Sequence, residues 1–332
     1  MSRPTITELA KAAGVSVTTV SHAFSGRRYV DPETRKRIVA IAEEIGYRAN
    51  PRARRLRMGG ASSIALVSSM PFAVAAGPSR LGFLMEIAAA AAMPALSNGL
   101  SLCIVPPFAD GISLEALEVD GVIIVEPARE DAVLDQFMRR GIPVVSIGRA
   151  PGRDDIAFVD LQSKLTTTIL LDHLTSTNER IALMLGEETR NSYLESEEVY
   201  LQHAARNGYK PIVVKVEEAG GEQAAAAAAE TLLLKEPDIT AVCVPVDAFA
   251  TGVMRAAAAI GRSIPDDLRI ATRYDGLRAK LAQPPLTAIN LNLDQIAATA
   301  VDLLMARLQD RHLEPVPMPL PELVQRDSSK RQ

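Results

Sequence analysis

Apolar residues follow two different periods along this chain. In the first 60 residues they recur every three to four positions, which is typical of amphipathic helices. From Ser63 onward, short apolar runs of strand length alternate with longer stretches of helical period. Alternation of this kind predicts parallel sheets with helices on both faces. The pattern therefore predicts a small all-helical unit followed by a larger α/β unit.

The N-terminal unit has the signals of a helix-turn-helix. Three short helices are predicted, at 6–13, 17–25 and 32–45. Thr5 with Glu8 has the pattern of a capping box, and Asp31 before Pro32 is typical of the start of the third helix. Gly14 permits the positive φ that a tight turn between the first two helices requires.

The larger unit has enough strands for two sheets. Strand candidates are 64–69, 100–106, 121–126, 142–148, 180–186, 211–217, 241–246 and 268–274. Helical periods occupy 80–97, 130–140, 162–175, 222–235, 248–260 and 294–309. About 270 residues is long for a single sheet of this kind, so we expect two doubly wound lobes with a cleft between them.

Charge separates the two units further. Residues 1–60 hold 12 Lys and Arg against 5 Asp and Glu, a net charge of +7, while the remainder holds 24 against 35, a net charge of −11. A basic N-terminal unit on an acidic body fits a nucleic-acid module attached to a domain that avoids DNA. The stretch NPRARRLR (50–57) combines four arginines with one leucine and precedes a GGASS linker at 59–63.

Outward-facing residues of the second helix suit duplex DNA. Apolar positions that hold the first two helices together are Leu9, Ala13, Val15 and Val20. This leaves Val17, Thr18 and His22 to face base edges. Polar groups nearby suit phosphate oxygens, and the predicted phosphate contacts are Thr5, Ser16, Thr19, Ser21, Tyr47, Asn50, Arg54 and Arg55. The alternative is an ordinary three-helix scaffold, which the charge separation disfavours.

The N-terminal unit resembles the lactose repressor (LacI) family. The similarity covers AKAAGVSVTTVSHAFSG (10–26) and VDPETRKRIVAIAEEIGYRANPRARRLR (30–57), and TTVSH is shared with the purine-repressor branch. The resemblance implies that residues 50–58 form a hinge helix that folds on the operator. It also implies that Leu56, beside Ala53, enters the minor groove and holds a kink at a pyrimidine–purine step. The alternative is a charged surface helix whose leucine docks on the body.

The body resembles the periplasmic-binding-protein-like core of the same family. VDGVIIVEP, GIPVVSIGR and SIPDDLRIATRYDG occur in matching order. The expected domains are a DNA-binding domain (1–49), a hinge helix and linker (50–61) and a two-lobed effector and dimerisation domain (62–332). Within the last, lobe 1 takes about 62–160 and 291–320, and lobe 2 takes about 161–290 and 321–330.

The resemblance implies an effector site in the cleft between the lobes. Asp275 matches the family's aspartate that accepts hydrogen bonds from effector hydroxyls or amines, and Arg190 lies where the purine-repressor branch places an arginine. Further candidates at the predicted cleft mouth are Ser68, Phe72, Phe83, Tyr193 and Phe249. Asp247 is expected to cap the helix 248–260 instead.

Several polar anchors of the family are missing from this chain. Other residues replace them at five positions: Val125, Gly148, Ser196, Val246 and Leu291. No aromatic residue occurs at 217–230, and the chain has no Trp, so sugar recognition lacks a usual stacking platform. We therefore expect an effector other than a typical sugar.

A nucleotide-dependent enzyme is the rival interpretation of the α/β pattern. The chain lacks a G-x-G-x-x-G motif after its first strand, a G-x-x-x-x-G-K-[ST] loop and a G-x-S-x-G elbow. Its four histidines have no metal-ligand spacing with each other or with Cys103 and Cys243. We expect no catalytic residue, cofactor or metal.

The sequence thus predicts a homodimeric transcriptional repressor that binds a pseudo-palindromic operator and responds to a small-molecule effector in the cleft. A ligand-independent DNA-binding regulator, whose core serves only for dimerisation, is the alternative. We find no signal peptide and no apolar stretch of membrane-spanning length, and both cysteines lie in apolar runs. The expected location is the cytoplasm, without membrane contact.

Overall fold

A computed structural model of the chain describes residues 4–25, 29–45, 47, 62–75, 82–105, 114–175, 180–311 and 317–330. Contacts divide the chain into an N-terminal helical unit and an α/β body. The helical unit consists of α1 (Ile6–Ala13), α2 (Val17–Ser25) and α3 (Pro32–Glu44). Its core contains Leu9, Val20 and Ile38, which have no exposed surface, so one side chain from each helix meets at the centre.

The first lobe of the body is built on a five-stranded sheet in the order β2-β1-β3-β4-β5. Its strands are β1 (Ser62–Ser68), β2 (Leu100–Ile104), β3 (Gly121–Val125), β4 (Val144–Ile147) and β5 (Ala157–Val159). The pairs β1–β3, β3–β4 and β4–β5 are parallel. The helices of this lobe are α4 (Phe72–Ala75), α5 (Phe83–Ser97) and α6 (Ala132–Arg139). Every residue of β3 and β4 is buried, as expected of parallel strands covered on both faces.

The second lobe is built on a four-stranded parallel sheet in the order β7-β6-β8-β9. Its strands are β6 (Ile181–Gly186), β7 (Val213–Val216), β8 (Ala241–Val244) and β9 (Arg269–Thr272). Its helices are α7 (Ser163–Leu174), α8 (Asn191–Asn207), α9 (Gly221–Lys235), α10 (Asp247–Ala259) and α11 (Leu277–Leu281). Short 3-10 turns occur at Leu114–Ala116, Glu218–Gly220 and Asp327–Ser329.

The chain crosses between the lobes more than once. After the second sheet, β10 (Ala288–Asn290) pairs antiparallel with β11 (Glu322–Val324), and α12 (Leu293–Leu308) follows β10. Leu304 of α12 packs against Gly121 of β3, which brings the chain back to the first lobe. The last turn returns to the second lobe, where the Ser328 hydroxyl donates to the carbonyl of Ile270 at 2.6 Å.

The predicted strands and helices are present, with ends shifted by at most three residues. The prediction omitted β5, β10, β11, α4, α8 and α11. Strands of three residues are too short to have a measurable period, and the buried face of α8 mixes Ser196 and His203 with tyrosines, which hides its helical pattern. Ser62 and Ser63, predicted as linker, belong to β1.

Candidate functional site

Local hydrogen bonds set the turn between α1 and α2. The Thr5 hydroxyl accepts from the Glu8 amide at 3.2 Å, and the Glu8 carboxylate accepts from the Thr5 amide at 2.7 Å, which completes the predicted capping box. Gly14 has a φ of 66°, as the tight turn requires. The Ser16 hydroxyl then accepts from the Thr19 amide at 3.1 Å at the start of α2. The chain forms the predicted helix-turn-helix.

The exposed side of α2 carries the predicted base-reading residues. Val20 faces the core on the opposite side of α2. The Arg35 side chain of α3 donates to the Ala23 carbonyl at 2.8 Å, which fixes the end of α2 against α3. Val17 and Thr18 are exposed, and His22 is half-buried one turn after Thr18. Residues four apart on a helix share a face, so Thr18 and His22 can approach the same groove.

The predicted phosphate contacts fall into two groups. Thr5, Ser16, Thr19 and Ser21 are at least partly exposed; the first two precede α1 and α2, and the other two lie within α2. Tyr47 is buried, and its ring centroid lies 5.9 Å from that of Phe24. The remaining DNA-contact predictions lie outside the described residues: Asn50, Ala53, Arg54, Arg55 and Leu56. All of these roles stay predictions.

Four charged residues follow strands β3, β6, β7 and β9, where the first lobe contacts the second. They are Glu126, Arg190, Glu218 and Arg273, and we call them the cleft network. None is more than 5% exposed. Ligands of open α/β sheets bind at the carboxyl ends of the strands, so the cleft network occupies the place expected for an effector.

The Arg190 guanidinium is engaged within the protein. Its Nε and Nη2 donate to the two carboxylate oxygens of Glu218 at 2.9 and 2.7 Å. Its Nη1 donates to the backbone carbonyl of Glu126, and Nη2 also reaches the carbonyl of Ser69 at 3.3 Å. Burial acts to lower the pKa of Arg190, but the hydrogen bonds and charge of Glu218 keep that pKa above its ordinary value. Since Ser69 and Glu126 belong to the first lobe, Arg190 ties the second lobe to it.

The Glu126 carboxylate makes a second tie in the opposite direction. Its Oε1 lies 3.2 Å from Nη2 of Arg273, and its Oε2 accepts from the Ser192 hydroxyl. Arg273 follows β9 and Ser192 lies in α8, so both partners belong to the second lobe. The backbone of Glu126 has a φ of 52°, in the left-handed region that residues with a Cβ seldom adopt.

A separate group of charges lies inside the second lobe, where buried Arg278 and Asp247 meet the partly exposed Glu222. Nη1 of Arg278 donates to Glu222 at 2.9 Å, and its Nε lies 3.4 Å from Oδ2 of Asp247. Burial raises the pKa of Asp247. The prediction that Asp247 caps its helix is wrong, because α10 begins at Asp247 and Val246 takes the cap position. The Asp247 carboxylate lies between two partners instead, because its Oδ1 accepts from the Ala248 amide at 2.9 Å while its Oδ2 faces Arg278.

The predicted effector contacts lie at different depths. The buried ones are Ser68, Phe83, Arg190, Tyr193 and Phe249. Phe72 is 44% exposed on α4, and the ring of Phe83 meets that of Tyr274 edge-on at 5.0 Å. Burial, together with the charge of Glu218, raises the pKa of Tyr193 well above its ordinary value. Their roles as effector contacts stay predictions.

Asp275 lines a cavity of about 480 Å³. The cavity is bounded by Glu86 and Ala90 of α5, by Tyr274, Asp275 and Lys280, and by residues 290–295. The Asp275 carboxylate lies 2.5 Å from Nη2 of Arg326 and 3.7 Å from Nζ of Lys280. The Glu86 carboxylate accepts from the Leu277 amide at 3.0 Å. Carboxylates, an ammonium group and side-chain amides around a space of this size suit a polyhydroxy or amine-bearing molecule.

Sequence reasoning missed the partners of Arg190 and Asp275. The sequence does contain a signal for three residues of the cleft network. Each of them follows an apolar strand run by one or two residues: Glu126, Glu218 and Arg273. A charge at that point of a parallel sheet is aimed at the ligand-binding edge. Arg326 carried no such signal, since it comes after β11 and reaches Asp275 only through the tertiary fold.

Within the described residues, no cluster of three or more His, Cys, Asp and Glu side chains could hold a metal ion. Cys103 and Cys243 are free thiols. No helix in the part of the chain described here combines the length and apolar character needed to traverse a bilayer.

Models of known families match both units of the chain. Residues 5–50 match the model described as bacterial regulatory proteins, lacI family, and residues 171–329 match the periplasmic binding protein-like domain. The chain belongs to the LacI family. This LacI-family protein is a DNA-binding transcriptional regulator, with a helix-turn-helix unit and a periplasmic-binding-protein-like body, as the sequence predicts.

Curated LacI-family relatives align with almost the whole chain. The HTH-type transcriptional regulator CelR of Thermobifida fusca is 28% identical over 330 residues, which cover 95% of this chain and 94% of CelR. The HTH-type transcriptional repressor PurR of Pasteurella multocida is 28% identical over 341 residues, which cover 98% of both proteins. These relatives are transcriptional regulators rather than enzymes.

Solved LacI-family structures share the fold. A CelR–cellobiose complex has a TM-score of 0.66 at 24% identity and covers 98% of this chain and 100% of its own. A lac repressor dimer bound to operator and the anti-inducer ONPF has a TM-score of 0.64 at 24% identity and covers 99% of both chains. The predicted fold class is confirmed.

Proposed function

We propose that this protein is a repressor that binds a pseudo-palindromic operator as a homodimer, with one α2 helix in each of two major grooves. The observation that carries the proposal is that exposed Thr18 and half-buried His22 share one face of α2, on a helix fixed by the Gly14 turn and by Arg35. The major groove admits a helix and presents a distinct pattern for each base pair. The domain limits 1–49, 50–61 and 62–332 are part of this proposal.

The proposed hinge couples the body to DNA. A lone helix of about eight residues is marginal in water, so residues 50–58 should order only when paired on DNA. An effector that favours one arrangement of the body would then change operator affinity. A coupling free energy of about 1–3 kcal/mol corresponds to roughly a 5–150-fold change in affinity.

The cavity beside Asp275 is the proposed effector site. Its lining of carboxylates and amides supports a polyhydroxy ligand, and CelR, a relative with the same fold, is known in complex with cellobiose. The expectation that the effector is not a typical sugar therefore finds no support. Calorimetry with cellobiose, other sugars, nucleosides, amino acids and sugar acids tests the site. Absence of binding across this panel would favour the ligand-independent regulator.

Selection of bound duplexes from a random oligonucleotide pool tests the DNA-reading proposal. We expect an inverted repeat whose half-sites are separated by one or more helical turns. Affinity for the selected duplex should fall as salt rises, because phosphate contacts release counterions. A pool that yields no preferred sequence would overturn the proposal.

Replacing His22 with alanine should change base preference at one position of each half-site. The expected loss is about 1–3 kcal/mol for the preferred base pair at that position, since a base-edge contact is removed. Anisotropy titrations against operators mutated one base pair at a time measure it. Thr19→Ala is the comparison, because its hydroxyl suits phosphate and its loss should weaken all sequences equally. A uniform loss for the His22 variant would show that His22 contacts phosphate.

Replacing Leu56 with alanine should weaken operator binding and reduce DNA bending. The proposed leucine wedge inserts between two base pairs and holds them apart. Unstacking that base step costs roughly a few kcal/mol, and this cost is no longer offset once the wedge is removed. Gel-shift measurement of the bend angle, together with affinity, checks the prediction. Met58→Ala, just beyond the arginines, is the matched control. An unchanged bend angle in the Leu56 variant would mean that this leucine docks elsewhere.

A further inference from the structure

The two lobes of the body are joined directly across the cleft. The Arg129 amide, after β3, donates to the carbonyl of Thr189, after β6, at 2.9 Å, and Ala128 forms an antiparallel bridge with Arg190. The cleft network lies beside this backbone contact and adds ties in both directions. A second-lobe arginine reaches first-lobe carbonyls, and a first-lobe carboxylate reaches a second-lobe arginine and serine.

The charges of the cleft network balance one another. Arg190 has a bidentate pair with Glu218, and Glu126 pairs with Arg273. Two positive and two negative side chains are therefore buried with ionic partners, which is the condition under which buried charges are tolerated. Because the cleft network is neutral as a group, closing the lobes buries no net charge that a ligand would have to neutralise.

The backbone conformation of Glu126 also depends on the contact between the lobes. Its left-handed φ of 52° is unfavourable for a residue with a Cβ, and such conformations persist only where the surroundings fix them. Both groups that hold its carboxylate, Arg273 and Ser192, come from the opposite lobe. The strained residue is thus held by the contact between the lobes.

We propose that the cleft network closes the two lobes in the absence of any effector, so that Arg190 and Glu126 act as internal substitutes for a ligand. This goes beyond the proposed function, because it concerns what holds the body closed and not what the protein binds. An effector in the cavity beside Asp275 would then bind to lobes that are already closed. The effector would adjust the relative position of lobes that are closed without it, and would not be what closes them.

Distance measurement between the lobes in the effector-free protein tests the proposal. Cysteines placed at exposed Glu130, after β3, and at exposed Ala205, near the far end of α8, carry spin labels in a Cys103→Ala background. Labelled chains are diluted with unlabelled ones so that only distances within one chain are read. Native mass spectrometry first establishes that no small molecule is bound. We expect a single narrow distance distribution for the otherwise unchanged protein.

Weakening the network should open the lobes. Glu126→Gln keeps the shape of the side chain but removes the charge that faces Arg273. We expect the ratio of chains with a long distance between the labels (open lobes) to chains with a short distance (closed lobes) to rise at least tenfold. Ser192→Ala, a milder change, should give a smaller rise of about two- to fivefold, in line with the loss of one hydrogen bond. Asp154→Asn breaks an exposed ion pair with Arg149 and should leave the distribution unchanged.

Two results would overturn the proposal. One is a broad or long distribution in the effector-free protein that narrows only when a ligand such as cellobiose is added. The other is a distribution that both network variants leave unchanged. If Glu126→Gln fails to fold, the unmodified protein and Ser192→Ala still decide. Operator binding is measured separately on unlabelled protein, so failure of the DNA-reading proposal would not be confused with failure of this one.

Discussion

Replacing Glu218 with glutamine should lower the free energy of unfolding of the body by about 3–5 kcal/mol, the usual result of removing one partner from a buried ion pair. The amide can accept one hydrogen bond from Arg190, but it leaves the guanidinium charge without its main partner. Arg190 is 1% exposed and cannot turn to water without separating the lobes. Urea titration followed by far-UV circular dichroism measures the loss.

The control for Glu218→Gln is the same Glu-to-Gln change in an exposed ion pair. Glu198 pairs with Lys164 at 2.8 Å, a distance similar to that of the buried pair, but both side chains are at least 50% exposed. Glu198→Gln should therefore cost less than about 1 kcal/mol. Replacing both Arg190 and Glu218 with methionine should cost less than Glu218→Gln alone, because no buried charge remains. Equal losses for the two single variants would mean that the cleft network is open to solvent.

Sequence reasoning predicted the helical unit almost completely, because its signals are local. The capping box of Thr5 and Glu8, the turn at Gly14 and the Asp31–Pro32 helix start each involve residues within a few positions of one another. Such features depend on backbone geometry that neighbouring residues set by themselves. The order of strands and helices in the body was predictable for a similar reason, since a buried parallel strand requires a continuous apolar run.

The composition of the cleft was much less predictable. The sequence places charges after strands β3, β7 and β9, but the partner of each charge lies between 28 and 147 positions away. Arg190 is predicted to contact an effector, and that role stays a prediction. Its partner in the structure, Glu218, lies in the stretch 217–230, where the only feature noted in the sequence is that no aromatic residue occurs. Long-range pairing of this kind depends on how the lobes meet, which no local pattern contains.

The alanine-rich helix α9 illustrates a further limit, because six consecutive alanines at 224–229 show no period that marks which side faces a neighbouring helix. In the structure Gly252 of α10 packs against α9 so closely that an added Cβ would lie 2.6 Å from the carbonyl oxygen of Glu222 and 2.7 Å from the Cβ of Ala225. The contact atoms include helix backbone, which cannot move aside as a flexible side chain can. Small residues on both helices are therefore what allows this approach.

Replacing Gly252 with valine should lower the free energy of unfolding by about 2–3 kcal/mol, near the upper end of the usual cost of overpacking. Helix propensity alone would favour valine over glycine by about 0.5 kcal/mol, which is too little to offset the clash. Urea titration against Ala258→Val, which puts valine on the exposed side of the same helix, separates the two effects. Because α9 begins directly after the Glu218–Gly220 turn, pushing the helices apart should also displace Glu218 from Arg190. Identical unfolding midpoints for the two valine variants would mean that α9 and α10 are not in close contact.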